Sequence, residues 1–285
     1  MKAQNKWQLL STPFNKELKN ALQQQHLAAQ FIALTGRYII PQKPDFSNIN
    51  MQYHSAKEML LGNQLPGDFY IGLHLQSLKV QILNSKMEVV KELSLIGKSF
   101  DEVFQEFKAL LGNLKIDISG LKTEQPFELT TDSLKEGKYF FDAQKANQEN
   151  IFYRHNAEVI ISEMAARFKD AIPVRIWPHH FDTGTFAPIA TNKKGDTSKT
   201  IGIGWAIPDS MVDEPYFYLS FWSESPVSEI NDLLAPGSGK WMMPEWNGAV
   251  LKLSDILEKT TPESQYNFVK SFFGTGIDML LEKMK

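Results

Sequence analysis

His179, His180 and Asp182 form the one cluster in this chain that combines residue types needed for acid–base chemistry or metal binding. They sit in residues 173–188, Pro-Val-Arg-Ile-Trp-Pro-His-His-Phe-Asp-Thr-Gly-Thr-Phe-Ala-Pro, after a short β-like run. If residues 179–182 are extended, side chains alternate between faces, which puts His180 with Asp182 and His179 with Phe181. A histidine and a carboxylate so placed can bind one divalent ion, or the carboxylate can orient the imidazole as a base. A metal site needs a further protein ligand, for which His155 and His74 are the candidates. The competing reading is structural. Asp182 then caps a turn at Thr183-Gly184, and His180 packs at a strand end, since histidine beside proline is common in turns for backbone reasons alone.

Five of the six tryptophans, Trp177, Trp205, Trp222, Trp241 and Trp246, fall in the same half of the chain. On a strand from 216 to 222, Tyr216, Tyr218 and Trp222 share one face, and Phe217, Leu219 and Phe221 the other. One face must meet helices. The other is aromatic with polar handles, which suits a wet, concave pocket. The expectation is that at least two of Trp177, Trp205 and Trp222 line one cavity with His179 or His180 at its mouth. Asp182 or Arg175 would then hold a ligand's polar end. A two-sided aromatic core, or a dimer interface, is the alternative.

Two nucleotide-like motifs fail on their own terms. Ala235-Pro236-Gly237-Ser238-Gly239-Lys240 suggests a phosphate-binding loop. That loop needs a small residue five positions before its second glycine and Ser or Thr after the lysine, where Leu234 and Trp241 stand. It reads as a surface turn. Gly202-Ile203-Gly204-Trp205 lacks the third glycine of a dinucleotide fingerprint and lies inside a strand pattern, so its glycines point to a bulge or close packing. The signatures of the commonest serine hydrolases and zinc proteases are missing.

The 285 residues are 42% hydrophobic, 22% charged and 12% aromatic, an ordinary globular composition. A net charge of −3 provides no global field for nucleic acid or an anionic membrane. No apolar run approaches the roughly 20 residues that span a bilayer. The amino terminus carries no apolar signal segment, so a soluble, cytoplasmic protein is expected. The absence of cysteine excludes disulfides, thiolate chemistry and cysteine-ligated zinc or iron–sulfur sites.

The pattern of elements is α+β. Thr12 and Pro13 are set to open a first helix with Phe14, Leu18, Leu22, Ala29 and Ile32 on its apolar face, and Gly36 to stop it. Alternation at Ile49 to Tyr53, Phe69 to Leu75, Leu78 to Ile82 and Met87 to Leu95 predicts an antiparallel meander. Ser99 to Glu102 is a capping box that opens a second helix. Asn147 can cap a third helix. Strands are then predicted at 174–177, 181–189, 200–205, 216–222 and 249–253, followed by a helix from Thr261-Pro262 that kinks near Gly274 and Gly276. The chain thus reads as two similar halves, 1–125 and 126–285, each an antiparallel sheet flanked by helices and suggestive of an internal pseudo-repeat.

The strand Tyr216-Phe217-Tyr218-Leu219-Ser220, the strand from Gly248 to Leu253 and the tryptophan-containing segment ending in Phe181-Asp182 resemble a bacterial family of unknown function, about 300 residues long. In that family the residues matching His179 and His180 vary, one form reading Trp-Pro-Glu-His-Phe-Asp. The resemblance therefore implies a structural or substrate-positioning Asp182 and carries no activity. The sequence supports small-molecule binding in an aromatic pocket of the second half. Its alternatives are a hydrolase with a divalent metal on His180 and Asp182, and a homo-oligomeric interaction module.

Overall fold

The computed structural model describes residues 6–129, 134–140, 144–227 and 239–284. The fold is α+β, with two antiparallel sheets and the chain divided into two compact units. The N-terminal unit comprises Asn15–Ile151 and Arg175–Phe181; the C-terminal unit comprises Met1–Phe14, Phe152–Val174 and Asp182–Lys285. Among the described residues no helix is long and apolar enough to cross a membrane.

Helix α1 (Lys16–Tyr38) opens the N-terminal unit. Its cap is Asn15, whose side-chain oxygen accepts from the Leu18 N–H at 3.0 Å. The expected start at Thr12-Pro13 is thus displaced by three residues, to a type that caps at least as well. Nor does Gly36 end the helix. A Cβ there would lie 2.2 Å from the Asn48 carbonyl oxygen, and the Asn48 amide donates to the Gly36 carbonyl at 2.9 Å. That glycine is a point of close approach rather than a stop.

The strands β1 (Gln52–His54), β2 (Met59–Leu61), β3 (Tyr70–His74), β4 (Lys79–Leu83) and β5 (Val89–Ser94) pair antiparallel in chain order, as the meander pattern implies. Strand β2 has only three residues, too few for alternation to register in the sequence. Helix α2 (Phe100–Asn113) starts at the expected capping box, and its Phe100 and Phe107 pack on Phe31 of α1 at 4.7 and 5.7 Å between ring centroids. Helix α3 (Gln144–Ala165) begins before Asn147. That residue is buried inside the helix, accepting from Gln25 at 3.3 Å and donating to the Gln76 carbonyl at 3.1 Å. Tertiary partners, not a helix end, satisfy its amide. Strand β6 (Arg175–Ile176) completes this unit and bridges Met51 through Ile176.

The C-terminal unit contains β7 (Thr183–Thr191), β8 (Thr197–Ala206), β9 (Tyr216–Ser223), β10 (Lys240–Trp241) and β11 (Gly248–Lys252), ordered β10-β11-β9-β8-β7. Helices α4 (Leu253–Leu257) and α5 (Pro262–Lys283) follow, α5 capped by Thr261 with Pro262 in its first turn and continuous through Gly274 and Gly276. Ile201, Ile203, Trp205, Phe217, Leu219 and Phe221 are all buried and, by strand alternation and register, share one sheet face. Phe217 on that face meets Phe273 of α5 edge-on at 5.8 Å.

Residues 6–14 fall with the second unit rather than with the first half because two buried amides capture the start of the chain. Asn156 exchanges two 2.8 Å hydrogen bonds with the backbone of Gln8. Gln265 accepts from the Leu10 N–H at 2.9 Å and donates to the Leu10 carbonyl at 2.7 Å. Each side chain imitates a strand partner for a segment that has none, so residues 6–14 belong with the helices of the second unit. Trp7 and Leu10 are buried in the same docking, Trp7 against Phe217 and Tyr266, but a segment this short shows no period.

Candidate functional site

The histidine stretch is not extended. Residues 178–180 form a turn in which the Phe181 N–H donates to the Trp177 carbonyl at 2.7 Å. Phe181 closes it in the left-handed region at φ 54°, a conformation that costs about 1–2 kcal/mol for a residue with a Cβ. The alternation that would put His180 and Asp182 on one face therefore does not apply. The two residues also belong to different units.

Phe181 is held in that conformation by packing. Its ring is fully buried and lies parallel to His26 of α1 at 4.9 Å, with 7° between the planes. His26 Nε2 is 2.8 Å from the Pro178 carbonyl oxygen, which can only accept, so Nε2 carries the proton. Gln30 donates to the same carbonyl at 3.0 Å. One turn of α1 thus grips one peptide of the stretch through two side chains. His179 and His180 are exposed, their rings 4.4 Å apart, with His179 also near Phe127 at 6.0 Å and Trp177 at 6.3 Å. Arg175 and Trp177 are partly buried in this unit.

The proposed third metal ligands are committed elsewhere. His74 Nδ1 pairs with the Ser77 hydroxyl at 2.8 Å, and His155 Nε2 with the Lys6 carbonyl at 2.9 Å. Among the described residues no group of three or more His, Asp or Glu is arranged to hold a metal ion. The extended geometry from which a metal pair of His180 and Asp182 was expected is thus replaced by a turn.

Asp182 takes up a different partnership in the C-terminal unit, where its Oδ2 accepts from the Tyr218 hydroxyl at 2.6 Å. Tyr218 spreads over two glycines of the neighbouring strands. A Cβ on Gly204 would meet its ring at 2.2 Å, and one on Gly184 its hydroxyl at 2.7 Å. The Gly-Ile-Gly-Trp run therefore provides close packing, as its position inside a strand suggested. Tyr216 beside it donates to Asp209 at 2.6 Å. Burial first, then the neighbouring carboxylates, pushes both tyrosine hydroxyls well above their ordinary range, so both stay protonated donors.

Trp205 and Trp222 come from adjacent strands yet occupy opposite faces. Trp205 pairs with Phe217, and Trp222 with Thr200, an odd number of residues apart on each strand. Trp205 is buried at 2% exposure, with the buried Arg154 guanidinium 4.7 Å from its ring and Arg154 Nη1 donating to Thr183 at 2.6 Å. Trp222 is 50% exposed. Strand parity therefore keeps Trp205 and Trp222 from lining one cavity together.

A cavity is present on the Trp222 face. An open groove of about 700 Å³ runs over Gly202, with Phe186 and Thr200 on one side and Ser220, Trp222 and the segment 244–247 on the other. Trp246 forms a wall and meets Tyr218 edge-on at 6.1 Å. Gly202 keeps the floor low, since a Cβ there would lie 2.3 Å from the Ser220 hydroxyl oxygen. Reading the sequence for clustered histidines missed Phe186, Trp246 and Asn247. The usable signal was the alternation of Tyr216, Tyr218 and Trp222 against glycine at 202 and 204, which marks a face without large side chains beside aromatic ones. Residues 235–238 of the phosphate-loop-like motif lie outside the described residues, and Lys240 stands on β10.

Comparison of the chain with protein-family models, with curated proteins and with solved structures finds no match.

Proposed function

We propose that the protein binds a small molecule in the aromatic groove of its C-terminal unit. The observation that carries this is the groove's composition. Three aromatic side chains, Phe186, Trp222 and Trp246, stand around a floor of Gly202, with Thr200, Ser220 and Asn247 as polar points. A half-exposed tryptophan is hydrophobic area left in water, which a flat or apolar ligand surface would cover. Hydroxyl and amide groups at the same place supply orientation, the usual division of labour in ligand sites. Of these aromatics, Trp246 also packs on a small core cluster of Ala206, Val212, Tyr216 and Val250, whereas Phe186 and Trp222 are exposed. In this reading Asp182 has a positioning role, holding Tyr218 flat over the glycines and so shaping the end of the groove.

Ligand-detected saturation-transfer NMR tests this with a panel of methyl glycosides, nucleosides, indole derivatives and alkylammonium compounds. We expect at least one compound to bind, and its signal to fall several-fold in Trp222→Ala and in Thr200→Trp, which fills the groove. Binding that is unchanged in both variants, or no binding by any class, overturns the reading.

A further inference from the structure

We propose that the ligand of this groove is a cation, an alkylated or quaternary ammonium group, a proposal that rests on the groove being a binding site. Trp222, Trp246 and Phe186 line it, and the negative face of an aromatic ring attracts a cation within about 6 Å of its centre, tryptophan most strongly. Among the described residues that line the groove, Glu245 alone carries an ionisable side chain, and it is exposed. No lysine, arginine or histidine is among them. The nearest cationic residue along β8, Lys199, donates its Nζ to the Met284 carbonyl at 2.6 Å instead.

These features discriminate between charge classes. An anionic ligand would give up hydration for a site with no cationic donor and a carboxylate at its edge, which is unfavourable. A neutral ring would gain the aromatic contact but no charge attraction from Glu245. A quaternary ammonium gains from both, and it needs no hydrogen-bond acceptors in the floor, which Gly202 does not supply through a side chain. The polar groups Thr200, Ser220 and Asn247 would then meet whatever hydroxyl or carbonyl the rest of the ligand carries.

The test compares choline with the neutral alcohol in which a tert-butyl group replaces trimethylammonium, titrated by calorimetry and by tryptophan fluorescence at low salt. Choline should bind about tenfold more tightly, from the cation–aromatic contact and Glu245 together. Raising the salt should weaken choline alone. Glu245→Gln should lower choline affinity about fivefold and leave the alcohol unchanged, whereas Trp222→Ala should weaken both. Both positions are solvent-facing, and circular dichroism with thermal melting shows whether the variants keep the fold. Equal affinity for the two compounds, with no salt effect, overturns the charge assignment and leaves the groove reading standing. Binding of a methyl glycoside without binding of choline has the same consequence. If none of the three binds, the charge assignment fails, and the wider panel decides whether the groove reading fails with it.

Discussion

The turn at 177–181 and the aromatic face of β7, β8 and β9 reverse the roles that their residue types suggest. The turn holds the two histidines that look catalytic, yet they project into solvent, and the interactions that matter come from His26 and Gln30 on α1. The sheet face holds glycines and aromatics that look structural, yet it presents the open groove. The difference lies in where the polar atoms go. In the turn, a backbone carbonyl is the object of recognition and the side chains around it are satisfied internally. On the sheet face, Ser220, Thr200 and Asn247 border open space. A cluster of titratable residues in sequence thus says less about where open space lies than a glycine-lined face with aromatic neighbours.

The contrast can be broken most severely at Gly204. Alanine there would place its Cβ 2.2 Å from the Tyr218 ring, which cannot swing aside without losing its hydrogen bond to Asp182. We expect about 3 kcal/mol of destabilisation in urea unfolding. A loss below about 0.5 kcal/mol would show that the face is loosely packed. On the turn side, His26→Ala removes the ring stacked on Phe181 and one of two bonds to Pro178. It should cost about 2 kcal/mol, with Gln30 retaining the other bond.

The tyrosines sharpen the comparison through pH. Their hydroxyls titrate higher in the folded protein than in the unfolded chain, because of burial and then the carboxylates beside them. The folded state therefore holds these protons more tightly. The stability they contribute is fully present below the ordinary tyrosine value near 10 and declines as the pH rises above it. Unfolding free energies measured from pH 8 to 11 should fall at the alkaline end. Tyr218→Phe should flatten that fall while costing about 1–2 kcal/mol at neutral pH through the lost bond to Asp182. The smallest effect belongs to the residues that first drew attention. His179→Ala and His180→Ala should each change stability by less than about 0.5 kcal/mol, since both side chains are exposed. A larger loss would show that these side chains help to hold the turn.

Much of the architecture was legible locally. The capping box at Ser99-Glu102, the Thr261-Pro262 start of α5 and the alternation from Phe69 to Leu95 each state their structure within a few residues, because a helix end or a strand face is a short-range object. The same holds for Tyr216, Tyr218 and Trp222, whose shared face follows from a period of two along a single strand. The parity of residues within one strand is fixed by the backbone and needs no partner.

What the sequence by itself determined is therefore the α+β class, the types of the longer elements and which residues of each strand stand together. The tertiary structure alone decided the rest. Whether Trp205 shares a face with Trp222 depends on the pairing register between β8 and β9, which no single strand encodes. Whether 179–182 is a strand or a turn depended on His26 and Gln30, some 150 residues away, gripping Pro178. The placement of the first residues in the second unit turned on Asn156 and Gln265 reaching back to Gln8 and Leu10. In each case the deciding energy is a contact between distant segments, and a buried amide or a ring stacked on a turn leaves no periodic mark on the chain that carries it.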